Sequence, residues 1–155
     1  MKQRYVVDLN VVRFAQTLTD EKGQRTLDSL RLLTELVARC HSLITCTELY
    51  RKYAKLADGL RASGAPQGPS VFALASTAAS VSEKWLRVPQ PPAVKGDDRI
   101  PDDDRVLVRL AVANRAHLVT ADGRLVVAIS KTEILQKRGL QVLSVQQALT
   151  QVVSG

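Results

Sequence analysis

Arg4-Tyr5-Val6-Val7-Asp8-Leu9-Asn10-Val11-Val12 is an apolar run broken by one carboxylate and then one amide. A run such as Tyr5-Val6-Val7 is typical of a central parallel strand, which is covered on both faces and so loses the alternating pattern. An ionised carboxylate inside such a sheet costs several kcal/mol unless it is paired or holds a metal. At the carboxyl end of the strand it would instead face the crevice where open α/β sheets bind ligands. Asp8 is therefore placed at the exit of a strand near 4–12, and the rest of the chain is read for what gathers around it.

With 155 residues and 45% hydrophobic composition, the chain suits one well-packed core, so a single domain over 1–155 is expected. Lys and Arg number 22 against 15 Asp and Glu, a formal charge of +7 that suits a polyanionic partner such as nucleic acid. The acids are unevenly spread, with Asp97-Asp98 and Asp102-Asp103-Asp104 close together while the bases are dispersed. Cys40 and Cys46 have no zinc-ligand spacing around them and read as reduced, partly buried thiols. No apolar run approaches the length of a bilayer span and no secretory leader is visible, so a cytoplasmic protein is expected.

After the first strand, Leu27, Leu30, Leu33, Leu36 and Val37 recur at helical spacing and predict an amphipathic helix over 26–39. A short strand at 42–46 and a helix from 47 to 56, ending by Gly59 or Gly64, follow it. The stretch 63–70 is turn-rich, 71–84 reads as a helix and 85–88 as a possible edge strand, stopped by Pro89, Pro91 and Pro92. A helix from Arg105, with Asp102 or Asp103 as its cap, leads to a strand at 117–121 that ends at Asp122-Gly123. A helix over 125–137, a strand at 141–145 and a terminal helix to about 153 complete the alternation. This order predicts an α/β fold with a central parallel sheet between two layers of helices.

Asp8 and Asp122 then end strands, Glu48 opens the helix after a strand, and Asp104 opens the helix before one. Parallel right-handed connections put strand exits and following helix starts on one rim, so acids far apart in sequence converge. Crowded carboxylates repel, and a divalent cation that prefers oxygen ligands relieves the repulsion. Mg²⁺ or Mn²⁺ is the expected cofactor.

The ordered set of Val-Val-Asp8-Leu-Asn10, Ser42 with Glu48-Leu49 six residues on, Asp102-Asp103-Asp104 before an apolar helix, and Leu118-Val119-Thr120-Ala121-Asp122 resembles the PIN-domain nucleases, which include the VapC-like toxins. The resemblance covers most of the chain. It implies a ribonuclease on a three-layer sheet, possessing a metal shell of Asp8, Glu48, Asp104 and Asp122 that Asn10 and Thr120 support. Asp103 stays open as the alternative to Asp104 because the triple aspartate does not fix the register. Arg124 stands where many members carry a further acid, which leaves a second metal position open.

Arg51, Lys52 and Lys55 on the helix of Glu48, and Arg105 and Arg109 on the helix after Asp104, are candidate contacts to RNA phosphates, although a solvated helix face explains any one of them. His41 and His117 read as structural. Tyr50 and Tyr53 are placed in packing rather than against bases. A different class of function stays open, a PIN-like module that binds RNA or protein without cutting. The apolar helices at 27–37 and 71–81 would suit a homodimer or an antitoxin-like partner, and burial within one chain explains the same pattern.

Overall fold

Five parallel strands pair in the order β3-β2-β1-β4-β5, where β1 is Arg4–Val7, β2 Ser42–Thr45, β3 Trp85–Arg87, β4 His117–Val119 and β5 Val142–Leu143. A computed structural model of the chain describes residues 2–64 and 84–155, and the helix expected over 71–84 lies outside them but for its last residue, Lys84. Tyr5 stands beside Leu43 on one neighbour and His117 on the other. Because side chains alternate across the pleat, each strand feeds two cores. Val6, Ile44 and Leu118 enter one; Tyr5, Val7, Leu43 and Val119 enter the other. Helices cover both faces, so the architecture is a three-layer α/β/α sandwich, and every central strand is apolar on both sides.

The first strand is shorter than the sequence suggested. It stops at Val7, and Leu9–Thr17 forms helix α1. Asp8 is the residue between them, with φ −67° and ψ 150°. The run 9–15 carries two periodicities at once: as a helix it sends Val11 and Ala15, four apart, into one core and packs Leu9 and Val12, three apart, against the other. Nine residues is also long for a strand. Leu18, in the left-handed region at φ 59°, ends α1 with its amide on the Phe14 carbonyl.

Helix α2 is Asp28–Ala38, and its Leu32, Leu33 and Leu36 are buried within the chain, so burial accounts for most of the stripe, while Leu27 just before the helix is exposed. Helix α3, Thr47–Ala62, passes Gly59 and ends just before Gly64, the later of the two expected stops. After β3 come two 3₁₀ turns, Asp97–Arg99 and Asp102–Asp104, then α4, Arg105–Asn114. Asp102 does not cap α4; its carboxylate takes the Arg105 guanidinium at 2.7 Å instead. The helix expected over 125–137 is divided into α5, Gly123–Ser130, and α6, Glu133–Lys137. Buried Thr132 lies between them and donates its hydroxyl to the Ala128 carbonyl at 2.9 Å, a local bond that competes with helix continuation. The last strand ends at Leu143 because Ser144 opens α7, Val145–Ser154, through a reciprocal cap with Gln147. Cys46 is buried and Cys40 exposed, both as free thiols. Among the described residues no helix is long and apolar enough to cross a membrane.

Candidate functional site

Strands β2 and β3 are laid down on one side of β1, and β4 and β5 on the other. The chain segments leaving β1 and β4 therefore diverge, which opens a crevice beyond their carboxyl ends. Asp8 enters this crevice from β1, and Thr120 to Asp122 enter it from β4. The Asp8 amide bonds the Val119 carbonyl at 2.9 Å, continuing the ladder to the crevice floor.

Asp8 is 5% exposed. Its Oδ2 accepts the Thr120 hydroxyl at 2.7 Å, and that hydroxyl accepts the Asp122 amide at 3.0 Å. A threonine has one O–H to give, so its donation to Asp8 favours the ionised carboxylate. Burial is the larger influence and pushes the Asp8 carboxyl above its ordinary range, while Thr120 and the amides of Leu9 and Asn10 pull it down and the charge of Asp122 raises it further. Asn10 supports the same loop by accepting the Ala121 amide at 3.4 Å. Asp122 is the N-cap of α5 and accepts the Arg124 amide at 2.9 Å.

Asp104 arrives from the long loop. Gly96, at φ 95°, starts the first 3₁₀ turn, and a Cβ there would meet Thr132 Cγ2 at 2.9 Å. Buried Asp97 accepts the Val94 amide at 2.9 Å and Arg109 Nε at 2.6 Å, and the guanidinium holds its carboxyl below the usual range. Arg105 Nε reaches the carbonyls of Asp97 and Ile100, each at 3.0 Å. Arg105 and Arg109, candidate phosphate contacts, are thus occupied in pinning the loop. The pinned loop sets half-buried Asp104 into an open cleft of about 680 Å³ that Asp8, Asp103 and Asp122 also line. Burial, followed by the charges of Asp8, Asp122 and Asp103, pushes the Asp104 carboxyl up to about 6 against the opposing Lys52. Asp103 is exposed, and its carbonyl takes Lys52 Nζ at 3.0 Å.

Glu48 is not among the residues that line this cleft, although Lys52 links it to the loop through the Asp103 carbonyl. It lines a neighbouring groove of about 360 Å³ with Arg51 and Gln90. Gln90 Nε2 donates to its Oε2 at 2.5 Å, and Lys52 Nζ lies 3.6 Å from its Oε1. Lys52 and Lys55 line both cavities and so mark the boundary between them. Among the described residues, no three acid, histidine or cysteine side chains are gathered closely enough to form a finished metal-ligand set. The donor chemistry nevertheless fits a hard cation. Asp8, Asp104 and Asp122 offer only oxygen donors to one cleft, and two of them carry the raised proton affinity that a divalent ion would relieve.

Tyr53 is buried and donates its hydroxyl to the Val7 carbonyl beneath the site, while Tyr50 lies under the Arg87 guanidinium, 4.6 Å from its ring centre. Neither presents a free ring to a base. His41 accepts the Gln3 amide at 3.4 Å and His117 meets Gln151 at 3.3 Å, both at the opposite ends of the strands from Asp8. Arg13, on α1, lines the cleft beside Asn10 and was missed because 9–12 reads as strand. Its spacing of three from Asn10 was the available signal. Asp97 had none, since a buried acid within an acidic loop resembles its exposed neighbours.

No family model and no curated protein sequence matches the chain. Among solved structures it is similar to the crystal structure of VapBC2 from Rickettsia felis bound to a DNA fragment from their promoter, at 13% identity and a TM-score of 0.47, over 92% of this chain and 98% of that chain.

Proposed function

We propose that the cleft beyond β1 and β4 hydrolyses RNA phosphodiester bonds with the help of a divalent cation. The observation that carries this reading is the convergence of Asp8, Asp104 and Asp122, from three distant parts of the sequence, on one open cleft at the point where the sheet order reverses. Asp8, Asp104 and Asp122 would hold Mg²⁺ or Mn²⁺, which when bound lowers the pKa of a coordinated water and offsets charge on the phosphate. Thr120 donates to Asp8, which opposes the effect of burial and orients the carboxylate. Asn10 ties the start of α1 to the loop bearing Asp122, so the two carboxylates keep their spacing. Arg13, Lys52 and Lys55 supply positive charge around the acids and draw the RNA backbone in. Glu48, with Lys52 and Gln90, acts in this scheme through the position of Lys52.

The test is cleavage of a mixed structured RNA with Mn²⁺ or Mg²⁺ against chelator, run beside Asp8→Asn, which removes the charge at nearly constant shape. Metal-dependent cutting that vanishes in Asp8→Asn is the expected result. A narrower form makes the chain the toxin of a toxin–antitoxin pair; expression of wild type, and not of Asp8→Asn, then arrests growth unless a partner protein is co-expressed. The second reading, an RNA- or protein-binding module that does not cut, is favoured by the place of Glu48 outside the cleft. Folded wild-type protein that binds RNA and leaves it intact under both metals would select it.

A further inference from the structure

Beyond Asp122 a second cavity, of about 640 Å³, opens beside the cleft. Arg99, Arg124 and Lys131 form its rim, and Val127 and Ala128 part of its floor. All three cations are exposed, and none of them forms an ion pair among the described residues. Arg105 and Arg109, nearby in sequence to Arg99, are by contrast each in an ion pair with an aspartate. Three like charges around one hollow repel each other, and an anion seated there removes the repulsion. The floor is apolar, with Val127 49% exposed. A cationic rim over an apolar floor suits a single strand, whose phosphates meet the rim while an unstacked base lies on the floor; a duplex keeps its bases inside. The stretch Asp122-Gly123-Arg124 joins the two hollows directly.

We propose that the cavity of Arg99, Arg124 and Lys131 is a second backbone-phosphate site, holding the flank of a single-stranded RNA that runs on from the cleft. It rests on the nuclease reading for the path of the strand. Asp122 engages Arg124 through its backbone amide alone, and the exposed Arg124 guanidinium forms no ion pair among the described residues.

The experiment is fluorescence anisotropy with a short labelled single-stranded RNA in excess chelator, where nothing is cut. Wild type is compared with the triple variant Arg99→Gln, Arg124→Gln, Lys131→Gln and with a charge-matched control, Lys22→Gln, Arg25→Gln, Arg31→Gln, at exposed positions elsewhere. The cavity variant is expected to bind at least about tenfold more weakly, and its slope of log affinity against log salt to be shallower by about 2, at roughly 0.7 per lost phosphate contact. The control should change affinity by less than about threefold. Unchanged affinity and slope in the cavity variant would overturn the site and leave the patch to an acidic protein segment. Equal losses in both variants would overturn it in favour of diffuse charge. Loss of binding confined to the cavity variant, together with no cutting by wild type under any metal, would sink the nuclease reading and leave the phosphate site standing.

Discussion

Asp104 is the residue on which protonation and metal affinity meet. Its folded carboxyl sits near 6, above the ordinary aspartate range, because burial and neighbouring carboxylates disfavour its charge. The metal-free native state therefore binds a proton more tightly than the unfolded chain does. The associated stability is present below about pH 4 and is lost as pH rises through 6, on the order of 1–2 kcal/mol once solvent screening is allowed for. Thermal melts of the metal-free wild type and Asp104→Asn from pH 4 to 7 should diverge by this amount, and parallel curves would contradict it. A cation competes for the same site with that proton, so Mn²⁺ affinity should fall about tenfold between pH 7 and pH 5. Of these residue-scale features, Asp8 and Asp122 were legible in the sequence because an acid that ends an apolar strand has few other uses. Asp104 was preferred for its place directly before the apolar helix, with Asp103 as the alternative, and both line the cleft, Asp104 being the more buried of the two. Thr120→Val should weaken Mn²⁺ binding by roughly ten- to a hundredfold, as it removes the hydroxyl that orients Asp8; unchanged binding would show that Asp8 is held by burial alone.

At the scale of elements, the loop from Pro89 to Asp104 decides whether the site exists, because it alone carries Asp104 to the crevice. Asp97 is the pin of that loop, taking both a backbone amide and the Arg109 guanidinium. Asp97→Ala leaves both donors without it and should cost about 2–3 kcal/mol by chemical denaturation, with weaker Mn²⁺ binding as the loop loosens. A full loss of stability with unchanged metal affinity would separate the pin from the site. Helix α1 shows why element boundaries were harder to read than element types. Leu9, Val11, Val12 and Ala15 satisfy a buried strand and a two-core helix equally by composition, and Asp8 was the break between them. The short strands at Ser42–Thr45 and His117–Val119 were legible because polar or helix-starting residues bound them closely.

For the whole molecule, the strand order explains why the carboxylates meet at all. Reversal at β1 creates one crevice, and the residues that follow β1 and β4 are the ones that line it. The alternation of strands and helices made this layering readable, and it also put Glu48 in the first turn of the helix after β2, beside the cleft. Glu48 lines a groove that adjoins the acidic cleft, with Lys52 and Lys55 on both. Calorimetric titration of Mn²⁺ into wild type, Asp8→Asn and Glu48→Gln tests that arrangement most directly. Saturable binding in wild type and Glu48→Gln, lost in Asp8→Asn, is the expected result; binding that survives Asp8→Asn unchanged, or disappears with Glu48→Gln, would contradict a cation site built on Asp8, Asp104 and Asp122.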